Sequence, residues 1–184
     1  MIEPRIITAD DLCRAAENIL RTNLHPLVEA LALEDFEEIT DWAQVPTMEA
    51  VAHADTPTGA ISSPGLVDAP VRKAHGVYDA TWRVVVSVFD RDEDYNATAA
   101  RTRQWAALVR ALLIDNPSLG GVASSLTWVG EDYAERPRKD EARTFGGCAV
   151  AFDVTAKNVA ELGSGDPQFP STNTPVSTTI TQRP

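Results

Sequence analysis

The stretch formed by residues 78–116 constrains the fold most, because its pattern changes from the period of a strand to that of a helix. Apolar side chains occupy every even position from Tyr78 to Val88, which predicts a strand with a buried face. The acidic run that follows, residues 90–94, disfavours a strand and ends it. Apolar residues then recur at the spacing of a one-faced helix, at Trp105, Leu108, Val109, Leu112 and Leu113. The centre of the fold is therefore predicted to be a strand covered by a helix, which Asn116-Pro117 ends.

Before this centre the sequence predicts a helix near the N-terminus. Thr8 and Asp11 form a capping-box pattern ahead of a helical stripe of apolar residues. Pro26 should end or kink this helix, because proline lacks the backbone donor and clashes with the preceding turn. A continuation over residues 27–33 for a turn or two is the alternative.

Residues 34–69 follow neither the period of a strand nor that of a helix. Short strands are predicted near residues 37–43 and 48–53. The segments 55–59 and 62–65 contain proline and glycine together, which is the composition of turns.

Two runs with the two-residue period of a strand follow the central helix, at residues 122–133 and 144–157. The charged segment between them, residues 135–143, contains a proline and is predicted to be an exposed loop. The two runs should pair as an antiparallel hairpin with a long tip. The order of elements therefore predicts an α+β fold, with a mostly antiparallel sheet and helices packed on one face.

The composition changes after Leu162. Residues 163–184 are rich in Ser, Thr and Pro and contain few apolar side chains, so they cannot bury enough surface to fold alone. The sequence predicts a domain over residues 1–162 and an extended C-terminal arm over residues 163–184. We expect the arm to lie on an adjacent subunit or another protein, anchored by its apolar residues Phe169, Val176 and Ile180.

Charge and composition exclude several classes of protein. A net charge of −11 argues against wrapping a nucleic-acid backbone, which requires a basic face. No apolar run approaches the length that spans a membrane, and the first residues show no secretory signal. Cys13 and Cys148 lie far apart and belong to no metal-type pair, so both are expected to be buried thiols.

No catalytic, cofactor-binding or metal-binding site is predicted, so we do not expect an enzyme. Asp90, Asp92 and Asp94 match the first positions of a calcium loop, but Tyr95 replaces its required glycine and Arg101 its last carboxylate. The histidines at positions 25, 53 and 75 are too widely separated for metal spacing. The sequence contains neither a nucleophile elbow nor a phosphate-binding loop.

The four tryptophans fall into two groups. Trp82, Trp105 and Trp128 lie on the inward faces of the predicted strand, helix and strand, so all three are expected in the core. Trp42 follows no period and is either a residue of the core edge or a contact with a partner.

The loop predicted between the last two strands is a second candidate contact with a neighbouring molecule. We expect residues 131–143 to present Tyr133, Arg136 and Arg138 on a rigid base. Tyrosine offers apolar area and arginine offers forked donors, which are frequent features of interfaces.

Several phrases of the sequence resemble one protein family. They are Ser62-Ser-Pro-Gly65-Leu, Gly76-Val-Tyr-Asp-Ala-Thr-Trp-Arg-Val-Val-Val-Ser-Val-Phe-Asp-Arg91, Asn116-Pro-Ser-Leu-Gly-Gly121, Trp128-Val-Gly-Glu131 and Ala149-Val-Ala-Phe-Asp-Val154. Together with the order of elements over residues 10–156, they resemble the tail terminator proteins of long-tailed, siphovirus-type bacteriophages, especially those that infect actinobacteria. The phrases are core strands and turns and do not form a site.

The resemblance implies an α+β subunit that assembles as a ring of identical copies, six being expected. Such a ring belongs to the virion, where it caps the head-proximal end of the tail tube and joins it to the head-to-tail connector. The implied partners are the major tail tube protein and the connector or stopper protein of the neck, with assembly in the host cytoplasm. The resemblance further implies that DNA passes through the lumen without specific binding, and we expect no cofactor, catalytic residue or membrane to be involved. The acidic composition fits this role, because a negatively lined lumen repels phosphate groups.

Two other interpretations stay open. The chain is another neck or head–tail connector component of the same virion, or a small cytoplasmic enzyme or ligand-binding domain. Identifying the partner distinguishes another neck component from a terminator. An enzyme or ligand-binding domain needs a pocket with convergent polar groups, and the sequence offers no such cluster.

Overall fold

Two long helices pack on one face of a seven-stranded, mostly antiparallel sheet, which confirms the predicted α+β class. The computed structural model describes residues 5–34, 36–44, 57–73, 77–92, 94–137 and 144–161. The helices are α1 (Ala9–Ala30) and α2 (Tyr95–Asp115), and a short 3-10 turn follows at Leu119–Gly121. The strands are β1 (Arg5–Ile6), β2 (Trp42–Ala43), β3 (Thr58–Leu66), β4 (Val71–Arg72), β5 (Tyr78–Asp92), β6 (Ser125–Pro137) and β7 (Thr144–Glu161). The predicted arm, residues 163–184, lies outside the described residues.

The long strand β7 organises the sheet. It lies between β5 and β6, and both pairings are antiparallel. The sheet continues from β5 to β3 and then to β2, which pairs with β3 in parallel. The short strand β1 pairs with the end of β7, and β4 pairs with the start of β5. Reading across the sheet, the long strands therefore follow the order β6, β7, β5, β3.

The predicted centre of the fold, β5 followed by α2, is confirmed. Val84, Val86 and Val88 are at most 1% exposed on the face that the helices cover. The even-numbered residues 148–156 of β7 are buried on the same face. The stripe predicted on α2 is also buried, apart from the half-buried Leu112. Asp94 caps this helix by accepting a hydrogen bond from the Ala97 N–H at 3.0 Å.

Helix α1 begins at the predicted capping box and continues past Pro26. The Thr8 hydroxyl accepts from the Asp11 N–H at 3.3 Å, and the Asp11 carboxylate accepts from the Thr8 N–H at 2.8 Å. The helix does not end at Pro26 but continues to Ala30, one turn further, which is the continuation that the sequence allowed. Leu24 and Val28 are buried on either side of Pro26 and hold both turns on the core, while Pro26 itself is exposed.

The turns predicted at residues 55–59 and 62–65 are wrong where the structure describes them, because β3 covers Thr58–Leu66. Backbone pairing with β5 overrides the turn composition, and a bulge between Ser62 and Gly65 accommodates the proline. Gly59 is needed because the Trp42 ring packs directly against its backbone, and not because of a turn. A Cβ at this position would lie 2.4 Å from the Trp42 ring. Of the strand predicted near residues 37–43, only β2 forms, and the one predicted at 48–53 lies outside the described residues.

The hairpin of β6 and β7 is confirmed, but its predicted loop is too long. Residues 135–137 were expected in the loop, yet they pair with β7 as far as Pro137, opposite Thr144. Residues 138–143 separate the two strands and lie outside the described residues. Charged composition suits an exposed edge strand as well as a loop, which is why the pattern misled the prediction.

A buried carboxylate joins the end of β5 to α2. Asp90 is 4% exposed, and its Oδ2 accepts hydrogen bonds from Arg101 Nε at 2.6 Å and from Trp105 Nε1 at 3.1 Å. Its Oδ1 accepts from the Arg91 N–H at 2.7 Å. A buried charge is tolerated when it is both paired and hydrogen-bonded, and Asp90 meets both conditions.

Replacing Trp105 by Ala should lower the free energy of unfolding by about 3–5 kcal/mol, the range for truncating a buried aromatic side chain. The Trp105 side chain is 1% exposed, and the substitution also removes the hydrogen bond that its ring N–H donates to Asp90. The matched control is Gln104→Ala on the exposed side of α2, which should change that free energy by less than about 0.5 kcal/mol. Denaturant unfolding of both variants measures the difference, and equal losses would contradict the helix face assigned here.

Candidate interaction surface

The partner contacts predicted from the sequence fall in different environments. Trp42 is 7% exposed, and its ring N–H donates to the carbonyl of Ile39 at 3.2 Å, so it is a core residue with little surface to offer a partner. Tyr133 is 42% exposed on β6. Arg136 belongs to β6 through its backbone. The remaining predicted contacts lie outside the described residues, namely Arg138, Phe169, Val176 and Ile180.

Strand β6 forms one edge of the sheet. Over its 13 residues it pairs with β7 on one side, and no other described strand pairs with its second side. Among the described residues, the outward backbone N–H and C=O groups of β6 therefore have no strand partner and could pair with a further strand. An open edge of this length is a template for strand pairing. At the opposite edge of the sheet, β2 has only 2 residues.

Two aromatic side chains stand on the helix-covered face of β6. The register places Trp128 opposite Phe152 and Tyr133 opposite Cys148, and residues that pair across strands point to the same face. Phe152 and Cys148 are buried, whereas Trp128 and Tyr133 are 44% and 42% exposed. The expectation that Trp128 belongs to the core is therefore wrong. Its strand lies at the edge of the sheet, where the helices cover the face less completely.

Arg110 of α2 and Glu131 of β6 connect the two aromatic residues. The Arg110 guanidinium lies 4.9 Å from the centroid of the Trp128 ring and forms an ion pair with the Glu131 carboxylate. Glu131 in turn accepts a hydrogen bond from the Tyr133 hydroxyl. These four residues form one continuous cluster, which we call the Trp128 patch.

The Trp128 patch is ordered by its own contacts. The pKa of Tyr133 is raised to about 12. Desolvation is the largest cause, and the hydrogen bond to Glu131 and the negative charge of Glu131 add to it. The Tyr133 hydroxyl therefore stays a donor to Glu131 across the physiological pH range. Side chains that are already held in place lose less entropy when a partner binds. Tryptophan, tyrosine and arginine are also the residues most enriched at the energetic centres of interfaces.

A single bulge explains why the sequence pattern did not reveal the patch. Strict alternation puts Trp128 and Glu131 on opposite sides of the strand. The register shifts between Trp128 and Gly130, so that Glu131 comes to the same side as Trp128. A glycine inside a strand pattern is a signal of such a bulge, so Gly130 was the available sign.

The face of the sheet that the helices leave uncovered has a different character. Arg83 of β5 donates to both oxygens of the Asp153 carboxylate on β7, at 2.7 and 3.2 Å. Beside this ion pair the hydroxyls of Thr81 and Thr155 are 3.0 Å apart. Small and paired polar side chains of this kind make a flat surface, chemically unlike the Trp128 patch.

Within the described residues no three His, Cys, Asp or Glu side chains lie together as metal ligands. Both carboxylate oxygens of Asp90, from the calcium-loop pattern, are engaged by protein donors. Burial raises the pKa of Cys13 to about 11 and that of Cys148 to about 12, so the reactive thiolate is disfavoured at either position. Both thiols are buried, as predicted.

The other features named from the sequence add no site. His25 lies on α1, 3.5 Å from the Glu29 carboxylate, and the histidines at positions 53 and 75 lie outside the described residues. Among the helices described, none is long and apolar enough to cross a membrane.

The chain is similar to a protein chain in the solved virion of a native gene transfer agent particle. The two share 15% sequence identity with a TM-score of 0.48, over 79% of this chain and 94% of that chain. At this identity and TM-score, no functional conclusion follows from the likeness. No protein-family model matches the sequence, and no curated protein matches it.

Proposed function

We propose that the chain is a structural virion protein, a tail terminator that forms a ring at the head-proximal end of a phage tail tube. The ring caps the tube and joins it to the head-to-tail connector, and it performs no catalysis. The observation that carries the proposal is the open edge of β6 with the Trp128 patch beside it. The resemblance of the sequence phrases to tail terminators supports the same assignment.

The two edges of the sheet suit a ring. A ring needs a heterologous interface, in which one surface of each copy docks onto a different surface of the next. The edge at β6 has 13 residues and carries the aromatic patch, whereas the edge at β2 has 2 residues. Each copy therefore presents unlike surfaces on its two sides. Repetition of such a contact closes a ring when the rotation between copies allows it.

The charge of the chain suits a conduit for DNA. Its net charge is −11, so several copies around a channel create a strongly negative environment. Such a lumen repels the phosphate backbone, and DNA passes through it without being held.

The proposed assembly has further contacts at its two ends. The major tail tube protein and the connector or stopper protein are the partners there, and six copies form the ring, as the resemblance implies. Arg136 and Arg138, near the tip of the β6–β7 hairpin, are proposed to contact a neighbour. Phe169, Val176 and Ile180 are proposed as the anchors of the arm. The subunits assemble in the host cytoplasm and remain in the virion.

A gold-binding tag fused to the chain tests the proposed position. In particles that incorporate the tagged chain, negative-stain images should show gold at one end of the tail tube, where the tube meets the head. The same tag on the major tail tube protein is the control and should mark the tube along its length. Gold on the head side of the connector would identify another neck component instead. Tail-bearing particles without any gold would overturn the virion assignment.

Truncation of the Trp128 patch should weaken assembly without unfolding the chain. In the double variant Trp128→Ala/Tyr133→Ala, both lost side chains are more than two fifths exposed, so no buried cavity is created. Self-association should weaken by a factor of about ten or more, because aromatic residues at the centre of an interface typically contribute above about 1 kcal/mol each. Sedimentation velocity of the purified chain and its incorporation into tail tubes measure the effect.

The matched control for this variant is Leu31→Ala. Leu31 is 54% exposed at the C-terminal end of α1, outside the sheet and outside the Trp128 patch, so its truncation should leave assembly unchanged. If the double variant assembled as well as the Leu31 control, the Trp128 patch would not belong to the interface.

A further inference from the structure

We infer that the open edge of β6 receives the C-terminal arm of a second copy of the chain, whose residues 176–182 add one strand to the sheet. The inference rests on the proposed ring, because it names a contact by which one copy holds the next. It specifies both the acceptor, on the sheet, and the donor, in the arm.

The acceptor is the second half of β6. A bulge disturbs the register only between Trp128 and Gly130, and the pairing with β7 is regular from Gly130 to Pro137. Natural edge strands are protected by short length, by proline, by bulges or by charged side chains, lysine above all. The bulge of β6 ends at Gly130, and from Ser125 to Arg136 the strand contains neither lysine nor proline. Of its charged residues, Glu131 is neutralised by the ion pair with Arg110. This edge therefore has the length and regularity that a further strand requires.

The donor is the one part of the arm with the composition of a strand. Residues 176–182 read Val-Ser-Thr-Thr-Ile-Thr-Gln, with no proline, glycine or charged residue. β-branched residues, which favour strands, occupy five of these seven positions. In a strand, Val176, Thr178 and Ile180 point to one face. Placed on the helix-covered side, that face would put Ile180 beside Tyr133 of the Trp128 patch and cover the exposed area of Tyr133.

Distance argues against pairing of the arm with the β6 strand of its own chain. The arm starts after Glu161 at the end of β7, while Pro137 lies opposite Thr144 at the other end of β7. An antiparallel strand on residues 131–137 must begin at Pro137. Because β7 bulges between Ala156 and Ala160, Pro137 lies about 51 Å from Glu161, at 3.4 Å for each residue of β5 that spans this length. The chain from Glu161 to Val176 reaches about 54 Å when fully extended and about 47 Å in the polyproline conformation that its prolines favour. Such pairing would therefore need the whole spacer to be drawn out almost to its limit, which costs conformational entropy.

The remaining arrangement within one chain is a parallel strand. The arm leaves the end of β7, and a chain that folds back from there runs in the direction of β6. Parallel pairs are slightly less stable than antiparallel ones and seldom lie at a solvated edge. An arm from a second copy does not have to span the length of β7 in its own chain. It can also approach β6 in the antiparallel direction. The second copy is therefore the occupant that the geometry favours.

Site-specific photo-crosslinking of the full-length chain tests the inference. The variant Ile180→p-benzoylphenylalanine is prepared with natural nitrogen and with 15N, and the two preparations are mixed in equal amounts before assembly at high concentration. After illumination, mass spectrometry of the digested chain should find crosslinks from position 180 to residues 130–137. About half of these crosslinked peptides should pair one light and one heavy chain, as random mixing of copies requires when the crosslink joins two chains.

Two controls make the result specific. The same photo-reactive group at Thr172, in the proline-containing spacer, should not give crosslinks to residues 130–137. Adding Thr178→Pro to the Ile180 variant should reduce the crosslink by a factor of about ten or more, because proline removes a ladder donor from the added strand.

Each other outcome overturns the inference. Crosslinks found exclusively between peptides of the same isotope, with no light–heavy pairs, show pairing within one chain, and crosslinks elsewhere show a different acceptor. A chain that stays monomeric at every concentration and gives no crosslink also contradicts it, because this pairing needs no other protein. The proposed function is judged separately by the gold label. A labelled tube end without the crosslink removes only the arm contact, whereas the crosslink without a labelled tube end removes only the terminator role.

Discussion

The buried carboxylate of Asp90 fixes the helix on the sheet, and the rest of the structure depends on that arrangement. It stands at the end of β5 and binds Arg101 and Trp105 from successive turns of α2, so the helix is held in one orientation. Gly146 of β7 pairs with Asp90 across the sheet. A Cβ on Gly146 would lie 2.5 Å from the methyl group of Thr98, so a glycine is needed for the helix to approach this closely. Removal of either feature would shift the helix that covers the core.

This arrangement decides which surfaces remain for assembly. The side chains beneath α1 and α2 form one continuous cluster, so a single copy completes its own core. Helix α2 reaches β6 through Arg110, which contacts Trp128 and Glu131 and leaves the far edge of the strand without a partner among the described strands. An ordered aromatic patch therefore lies next to open backbone groups. That combination suits a neighbour that contributes both apolar area and a strand.

Most of the core was predictable because burial imposes a period on the sequence. The alternation in β5 and β7 and the stripe of α2 each identified the correct buried face. The failures depend on contacts between distant residues. The Ser-Pro-Gly sequence of β3 indicates a turn, and only its pairing with β5 makes it a strand. Trp128 has the pattern of a core residue, and only the place of β6 at the edge of the sheet leaves it exposed. The candidate surface could not be predicted for the same reason, since strand order is not a local property.

Hydrogen–deuterium exchange of the β6 amides tests most directly whether a complete monomer assembles through this edge. Exchange of the full-length chain is compared between the dilute, dissociated chain and the assembly that we propose to be a ring. We predict that peptides covering residues 125–137 exchange more slowly in the ring, because their outward amides gain hydrogen-bond partners. Peptides of α2 and β7 should be protected equally in both states, since one copy completes the core. Unchanged exchange across residues 125–137 in a fully assembled ring would contradict the central claim.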